Sequence, residues 1–148
     1  MSVLFENVTY SFIFTYYKFY MSAKRIQPPF LKRGDEVAII SPSFAIDEDK
    51  VSFAAAFLED WGLKVKVGRN ANKRNGPFAG TDGERLNDLQ EMTNDKSVKA
   101  VFCSRGGYGV SKIISRTDFS ALKQNPKWYI GFCFKAEKSV LLMIFETP

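Results

Sequence analysis

The sequence predicts an α/β fold over residues 28–132, with one open, mainly parallel sheet and helices on both of its faces. Short apolar runs rich in β-branched residues alternate along the chain with longer amphipathic stretches. Each amphipathic stretch is long enough to form a crossover helix, which joins two parallel strands and packs on a sheet face. The length of 148 residues and the 45% hydrophobic content are also sufficient for one domain with a buried core.

The first strand and the first helix are predicted within residues 36–61. The letters VAII after Glu36 form a short apolar run, which is typical of a strand covered on both faces. Residues 47–61 carry apolar side chains at helical spacing, acidic residues in the first turn, and Gly62 directly after the end. The predicted inner face of this helix consists of Val51, Ala54, Ala55, Leu58 and Trp61.

The next strand and helix follow the same order. Residues 63–67 alternate apolar side chains with lysines, which favours a strand near the sheet edge with one face in solvent. Residues 68–80 are rich in Gly, Asn and charge and are predicted to form a loop. Thr81 and Glu84 have the spacing of a capping box, so a second helix begins there. Its inner face is predicted to contain Leu86, Leu89 and Met92.

The third strand, residues 98–103, runs directly into the glycine-rich sequence SRGGYG at residues 104–109. Short helical segments are predicted near residues 110–114 and 118–123, and a fourth strand at residues 128–132. In open α/β sheets, ligands bind outside the carboxyl ends of the strands. The loops that follow these strands are therefore the predicted location of the chemistry.

The composition excludes several classes of function. The 21 basic and 16 acidic residues give a net charge of +5 but are interspersed, which argues against nucleic acid as a partner. The chain contains no histidine, so it lacks the imidazole that serves as base in Ser-His and Cys-His hydrolases. Cys103 and Cys133 lie in or beside apolar stretches, which suggests a reduced intracellular protein without a metal site or cofactor.

The two ends of the chain differ from its middle. Residues 1–20 are dense in aromatic side chains and are predicted to be an extension before the domain, with Met21 as an alternative start. They lack the basic start and the small-residue cleavage site of a secretory signal, and Lys18 and polar tyrosines argue against stable membrane insertion. A segment that only touches a membrane remains the alternative. Residues 133–148 are predicted to be a divergent tail.

Three segments at strand ends are candidates for chemistry, each with a purely structural alternative. Ser41 and Ser43 follow the first strand and could line a ligand crevice, or could form a turn that caps a helix. The glycines of SRGGYG could offer backbone N–H groups to an oxyanion, or could form a tight turn. Cys133 ends a G-x-C sequence that could form a strand-to-helix nucleophile elbow, or it could be a buried structural cysteine.

Four stretches together make the chain resemble the amino-terminal domain of the LD-carboxypeptidase family of serine peptidases. They are PPFLKRGDEVAIISPS, AGTDGERLNDLQEM, VKAVFCSRGGYGVSKII and NPKWYIGF, and it is their order and spacing that are specific. The resemblance implies a flavodoxin-like amino-terminal domain without the family's carboxyl-terminal domain. It also implies a cytoplasmic enzyme, a homodimer, and hydrolysis of the L,D-amide bond that releases terminal D-alanine from peptidoglycan tetrapeptides.

The resemblance also assigns roles to individual residues. The family uses a Ser-His-Glu triad, with the Ser in a G-[YF]-S-D elbow and the other two residues in the carboxyl-terminal domain. Gly106 and Gly107 match the family's oxyanion loop, and Cys133 occupies the position of the nucleophilic Ser. The backbone N–H of Phe134, which stands where the family has Asp, would be the second oxyanion donor.

The expected function is therefore that of a truncated LD-carboxypeptidase-like peptidase that is inactive by itself. The alternative from another class is a non-catalytic α/β module that binds a muropeptide or a partner subunit through the SRGGYG loop. A nucleotide-binding domain is a third reading, but the sequence has neither the G-x-G-x-x-G spacing nor a P-loop.

Overall fold

The computed structural model describes residues 27–131, which contain four strands, two α-helices and three short 3-10 helices. The strands are β1 (Glu36–Ile40), β2 (Lys64–Val67), β3 (Val98–Cys103) and β4 (Trp128–Ile130). The α-helices are α1 (Glu48–Asp60) and α2 (Asp82–Asn94). The 3-10 helices are Tyr108–Lys112, Ile114–Arg116 and Ser120–Lys123.

The described strands form one parallel sheet in the order β2-β1-β3-β4. From β1 the chain crosses first to β2 on one side, and later strands are added on the other side. The boundary between β1 and β3 is therefore a topological switch point, the position at which ligands commonly bind in open α/β sheets. The predicted α/β class and the predicted edge position of β2 are confirmed.

The two helices cover opposite faces of the sheet. Val51 and Leu58 of α1 pack in one buried cluster with Val37 and Ile39 of β1. The other face is covered by α2, where the hydroxyls of Thr93 and Tyr129 lie 2.7 Å apart. Tyr129 of β4, Val101 of β3 and Ala38 of β1 lie side by side in the sheet register. Because side chains alternate between the two faces of a strand, Ala38 points to the face opposite Val37 and Ile39, which contact α1. The prediction of helices on both faces is confirmed.

The predicted start of α2 is confirmed in detail. The Thr81 hydroxyl accepts a hydrogen bond from the Glu84 N–H at 3.3 Å, and the Glu84 carboxylate accepts one from the Thr81 N–H at 2.8 Å. Lys73 binds the same carboxylate at 2.7 Å. This hydrogen bond from Lys73, together with those from Thr81, lowers the pKa of Glu84 to about 2. Two amide groups at the helix start are thereby satisfied by side chains.

Three details differ from the sequence prediction. The helical spacing predicts Trp61 on the buried face of α1, but this side chain is 56% exposed because it follows the last helical turn. Its ring lies tilted against that of Phe57, with the centroids 4.9 Å apart. The short helical segment predicted near residues 110–114 is divided into two 3-10 helices, with a break at Ile113. The fourth strand ends at Ile130, and Phe132 lies outside the described residues.

Within residues 27–131, neither helix has the length and apolar character needed to cross a membrane. The predicted extension at residues 1–20 and the predicted tail at residues 133–148 lie outside the described part of the chain.

The capping box gives a first prediction about stability. Thr81→Ala removes the hydroxyl that accepts from Glu84, so we expect the free energy of unfolding to fall by about 1 kcal/mol. Urea denaturation followed by circular dichroism measures this difference. Thr81→Ser is the matched control, because it keeps the hydroxyl and should retain most of the stability. Equal midpoints for the Ala and Ser variants would contradict the capping role.

Candidate functional site at the carboxyl edge of the sheet

The loops that follow β1 and β3 meet at the switch point. The Ser104 N–H donates to the Ile40 carbonyl at 2.8 Å, which continues the pairing of the two strands by one residue. The hydroxyls of Ser41 and Ser104 lie 2.6 Å apart, so the first polar side chains after the two strands bind each other. The topology therefore joins two segments that are more than sixty residues apart in the chain.

Ser43 holds the glycine loop, which we define as residues 104–109. Its buried hydroxyl accepts a hydrogen bond from the Gly109 N–H at 2.9 Å. Gly107 has φ +139°, and a Cβ there would lie 2.7 Å from both the Ser43 hydroxyl and the Phe44 ring. Only glycine permits this backbone conformation and this close approach. The alternative that Ser41 and Ser43 cap a helix is wrong, because the N-cap of α1 is Asp47.

A third segment joins the same loops. The Ala79 N–H donates to the Ser43 carbonyl at 3.0 Å, and the Ala45 N–H donates to the Pro77 carbonyl at 2.9 Å. The loop before α2 is therefore bonded to the loop after β1. Three loops, from residues 41–45, 77–80 and 104–109, therefore share one hydrogen-bond network, in which the Ser43 carbonyl binds the second loop and the Ser43 hydroxyl binds the third.

Arg85 is a structural residue of this edge that the sequence analysis missed. It is 1% exposed and donates to the carbonyls of Pro42 at 3.2 Å and Gly80 at 2.6 Å, and it pairs with Asp82. Its buried charge is thus satisfied by three acceptors. The signal was present in the sequence, because Arg85 precedes Leu89 and Met92 by four and seven residues and so shares their buried helix face.

An aromatic cluster supports the glycine loop from one side. We use this name for Phe44, Phe78 and Tyr108, whose ring centroids lie 5.2 to 5.6 Å apart. The Lys112 ammonium lies 4.7 Å from the Phe78 centroid, and the Arg105 guanidinium lies 5.7 Å from the Phe44 centroid. Cations at these positions are attracted by the faces of the rings. The rim of the glycine loop is therefore both aromatic and positively charged.

Asp47 is an acidic group that interacts with the charge of Arg105 at this rim. The hydrogen bond and charge of Lys50 lower the pKa of Asp47, and the positive charges of Arg74 and Arg105 act in the same direction. Asp47 forms ion pairs with Lys50 at 2.9 Å and Arg74 at 3.2 Å. Its negative charge is therefore shared mainly with those two residues.

The end of β4 lies against the end of β3. A Cβ at Gly131 would lie 2.7 Å from the Cβ of Cys103, so glycine allows the two strands to approach closely there. Burial raises the pKa of the Cys103 thiol to about 12. This thiol stays protonated at neutral pH, which makes it a poor nucleophile and a poor metal ligand.

The predicted site residues fall into two groups. Gly106 and Gly107 lie in the glycine loop at the carboxyl end of β3, the strand next to β4. Cys133 and Phe134 lie outside the described residues, two and three positions after Gly131. The oxyanion role of the glycines and the nucleophile position therefore stay predictions. Between residues 27 and 131, no group of His, Cys, Asp and Glu side chains has the arrangement needed to hold a metal ion.

The bond between Ser43 and Gly109 gives a second prediction. Ser43→Ala leaves the buried Gly109 N–H without its acceptor, which typically costs about 1–3 kcal/mol. We expect faster hydrogen exchange at the Gly109 amide and a lower urea midpoint. Ser52→Ala, on the exposed side of α1, is the control and should leave both values unchanged. Unaltered exchange at Gly109 in Ser43→Ala would show that the loop does not depend on this bond.

The Cys103 thiol gives a third prediction. In a Cys133→Ser chain, Cys103 is the remaining cysteine, and its raised pKa and half-buried position should slow its reaction with Ellman's reagent at pH 8. We expect the reaction to become much faster after urea unfolds the protein. Rapid labelling of the folded chain would contradict the close packing between the ends of β3 and β4.

The comparisons with known proteins agree with this architecture. A curated Bacillus subtilis (strain 168) protein, named as a probable murein peptide carboxypeptidase, is 42% identical over 106 residues, covering 72% of this chain and 33% of the relative. A murein tetrapeptide carboxypeptidase from Pseudomonas aeruginosa is 36% identical over 111 residues, covering 74% of this chain and 35% of the relative. The chain thus spans about a third of the length of these curated relatives.

A solved structure shares the fold. The crystal structure of an MccF-like protein from Bacillus anthracis strain Ames matches with a TM-score of 0.66 and 28% sequence identity, covering 72% of this chain and 33% of that one. The family model for the LD-carboxypeptidase N-terminal domain matches residues 37–133, which include β1, the glycine loop and β4. The chain therefore belongs to the LD-carboxypeptidase family and corresponds to its amino-terminal domain.

Proposed function

We propose that this chain provides the oxyanion loop and the nucleophile-bearing strand of a serine-type LD-carboxypeptidase site. The reaction would hydrolyse the L,D-amide bond of a murein tetrapeptide and release terminal D-alanine. The observation that carries the proposal is the glycine loop, which Ser43 and the aromatic cluster hold at the carboxyl end of β3, beside the strand that leads to residue 133. The names of the two curated relatives supply the substrate class.

In this proposal, the nucleophile at position 133 attacks the scissile carbonyl carbon and forms a tetrahedral intermediate. The N–H groups of the glycine loop and of residue 134 donate to its oxyanion. Fixed donors at this position stabilise the negative charge that develops in the transition state of acyl transfer. Collapse of the intermediate breaks the C–N bond and releases the amine of D-alanine. Water then hydrolyses the acyl enzyme and regenerates the nucleophile.

Two features of the sequence argue that the chain does not complete this cycle by itself. It contains no histidine, so the proton of the nucleophile has no imidazole acceptor within these 148 residues. Cys133 and Phe134 also replace the Ser and Asp of the family's elbow. A thiol at position 133 still requires a base to become a thiolate. We therefore propose that hydrolysis requires a base from a separate polypeptide segment.

The physiological setting belongs to the same proposal. An enzyme that removes D-alanine from free muropeptides would act in the cytoplasm during peptidoglycan recycling, and the family resemblance adds a homodimer as its assembly. The second candidate function is a non-catalytic module that binds a muropeptide or a partner subunit. It is supported by the contacts that shape the glycine loop, which within the described residues are made by residues 40–44 and Phe78 of this chain.

The test of the proposed function is complementation in trans. The Cys133→Ser, Phe134→Asp chain is mixed with the carboxyl-terminal domain of the Bacillus subtilis relative, and D-alanine release from a tetrapeptide is measured. We expect release only in this mixture. Each component alone should be inactive, because loss of triad members typically lowers kcat by more than about 10⁴-fold. The unreverted chain in the same mixture is the matched control for the elbow residues.

Two results would contradict the proposal. Release of D-alanine by the unaltered chain alone would require a base other than histidine. A mixture that forms a complex but releases no D-alanine would remove the support for an oxyanion role of the glycine loop. In that case, saturable heat on titrating the chain with the tetrapeptide would favour the binding module.

A further inference from the structure

In addition to a nucleophile and oxyanion donors, a carboxypeptidase site needs a group that recognises the residue to be released. A carboxypeptidase removes the last residue of a peptide, and that residue carries a free carboxylate. Selectivity for the chain end therefore requires a cationic group close to the glycine loop. Such a group attracts the free terminal carboxylate more strongly than the neutral peptide amide that a longer chain would have in its place. Arginine suits this role best, since its planar guanidinium binds a carboxylate through two parallel hydrogen bonds.

Arg105 belongs to the glycine loop, and two contacts hold its side chain in place. It directly precedes Gly106, and its Nη1 donates to the Ala45 carbonyl at 2.8 Å. Its guanidinium lies 5.7 Å from the centroid of the Phe44 ring, and the backbone of Gly107 packs on that same ring. One aromatic side chain therefore contacts both the guanidinium and the glycine loop.

The charge of Arg105 is available to a ligand. The side chain is exposed, and among residues 27–131 no carboxylate forms an ion pair with it. Together with Lys50, the charge of Arg105 helps to lower the pKa of Asp47, but Asp47 forms its ion pairs with Lys50 and Arg74. A guanidinium has five N–H donors, and the bond to Ala45 uses only one of its nitrogens. The remaining donors can meet a carboxylate in a bidentate arrangement.

The other cations near the loop fit this role less well. Arg85 is buried and already donates to Pro42, Gly80 and Asp82. Lys112 rests on the ring of Phe78 and carries a single ammonium, which lacks the fork geometry of arginine. Lys112 adds positive potential to the rim, but it is not fixed by a hydrogen bond to the backbone in the described part of the chain.

We propose that Arg105 binds the free carboxylate of the amino acid that the reaction releases, and so restricts the site to peptide ends. This inference rests on the proposed function, because it names the group that selects the substrate of that same site. Its chemistry requires no covalent step by Arg105, which acts as a specificity-determining residue.

The test is a binding experiment on the chain as it exists. The ¹⁵N-labelled chain is titrated with L-alanyl-D-γ-glutamyl-L-lysyl-D-alanine and with the same peptide ending in D-alaninamide. We expect the free acid to bind at least about tenfold more tightly, the usual effect of a charge-assisted pair, with shifts at the amides of Gly106 and Gly107. Arg105→Gln should remove this preference, and Arg105→Lys should retain part of it. Arg69→Gln, which removes an exposed charge paired with Glu91, should keep the full preference.

Three outcomes would overturn the inference. They are equal binding of both peptides by the unaltered chain, an acid preference that survives Arg105→Gln, and no binding of the free acid at millimolar concentration. If the second of these outcomes is accompanied by loss of the preference in Lys112→Gln, the role belongs to Lys112. Thermal unfolding of each variant checks that the fold is intact. The release of D-alanine in the complementation mixture is a separate readout, so failure of the proposed function is distinguishable from failure of this inference.

Discussion

The carboxyl edge of the sheet depends on Ser43. Its hydroxyl accepts from Gly109 and its carbonyl accepts from Ala79, so one residue joins the loops after β1 and β3 to the loop before α2. Both bonds lie in the interior, where an unpaired amide is costly. Gly107 must approach Ser43 more closely than any residue with a Cβ allows. The shape of the glycine loop is thus set by contacts beneath it, before any ligand is present.

The two arginines at this edge differ in burial and in the number of hydrogen-bond acceptors that they meet. Arg85 is buried, and its hydrogen bonds to Pro42 and Gly80 support the loops from below. Arg105 is exposed and retains donors that face solvent. Both guanidiniums lie near an aromatic ring, Arg85 at 4.8 Å from the Phe78 centroid and Arg105 over Phe44. Both guanidiniums therefore contact a ring, and the exposed one keeps donors that are not used within the described residues.

The opposite, amino edge of the sheet is organised for stability. Lys66 bridges Asp95 at 2.6 Å and Glu36 at 2.7 Å, and this network connects the start of β1 to the end of α2. Lys127 is buried beside it and donates to the Asp95 carbonyl, and this burial lowers the pKa of Lys127 to about 8. This group of ion pairs and hydrogen bonds therefore lies at the edge of the sheet opposite the glycine loop.

The sequence by itself determined the elements whose signals are local. The β-branched run of β1, the alternation in β2 and the capping box before α2 were all readable, because each depends on residues within one or two turns of chain. The sequence also placed Gly106 and Gly107 at a strand end. It did not show that Ser43 binds Gly109 or that Arg105 rests on Phe44, since these pairs are far apart in the chain. Only the strand order, which brings β1 beside β3, decides which loops meet, and that order is set by packing of the whole domain.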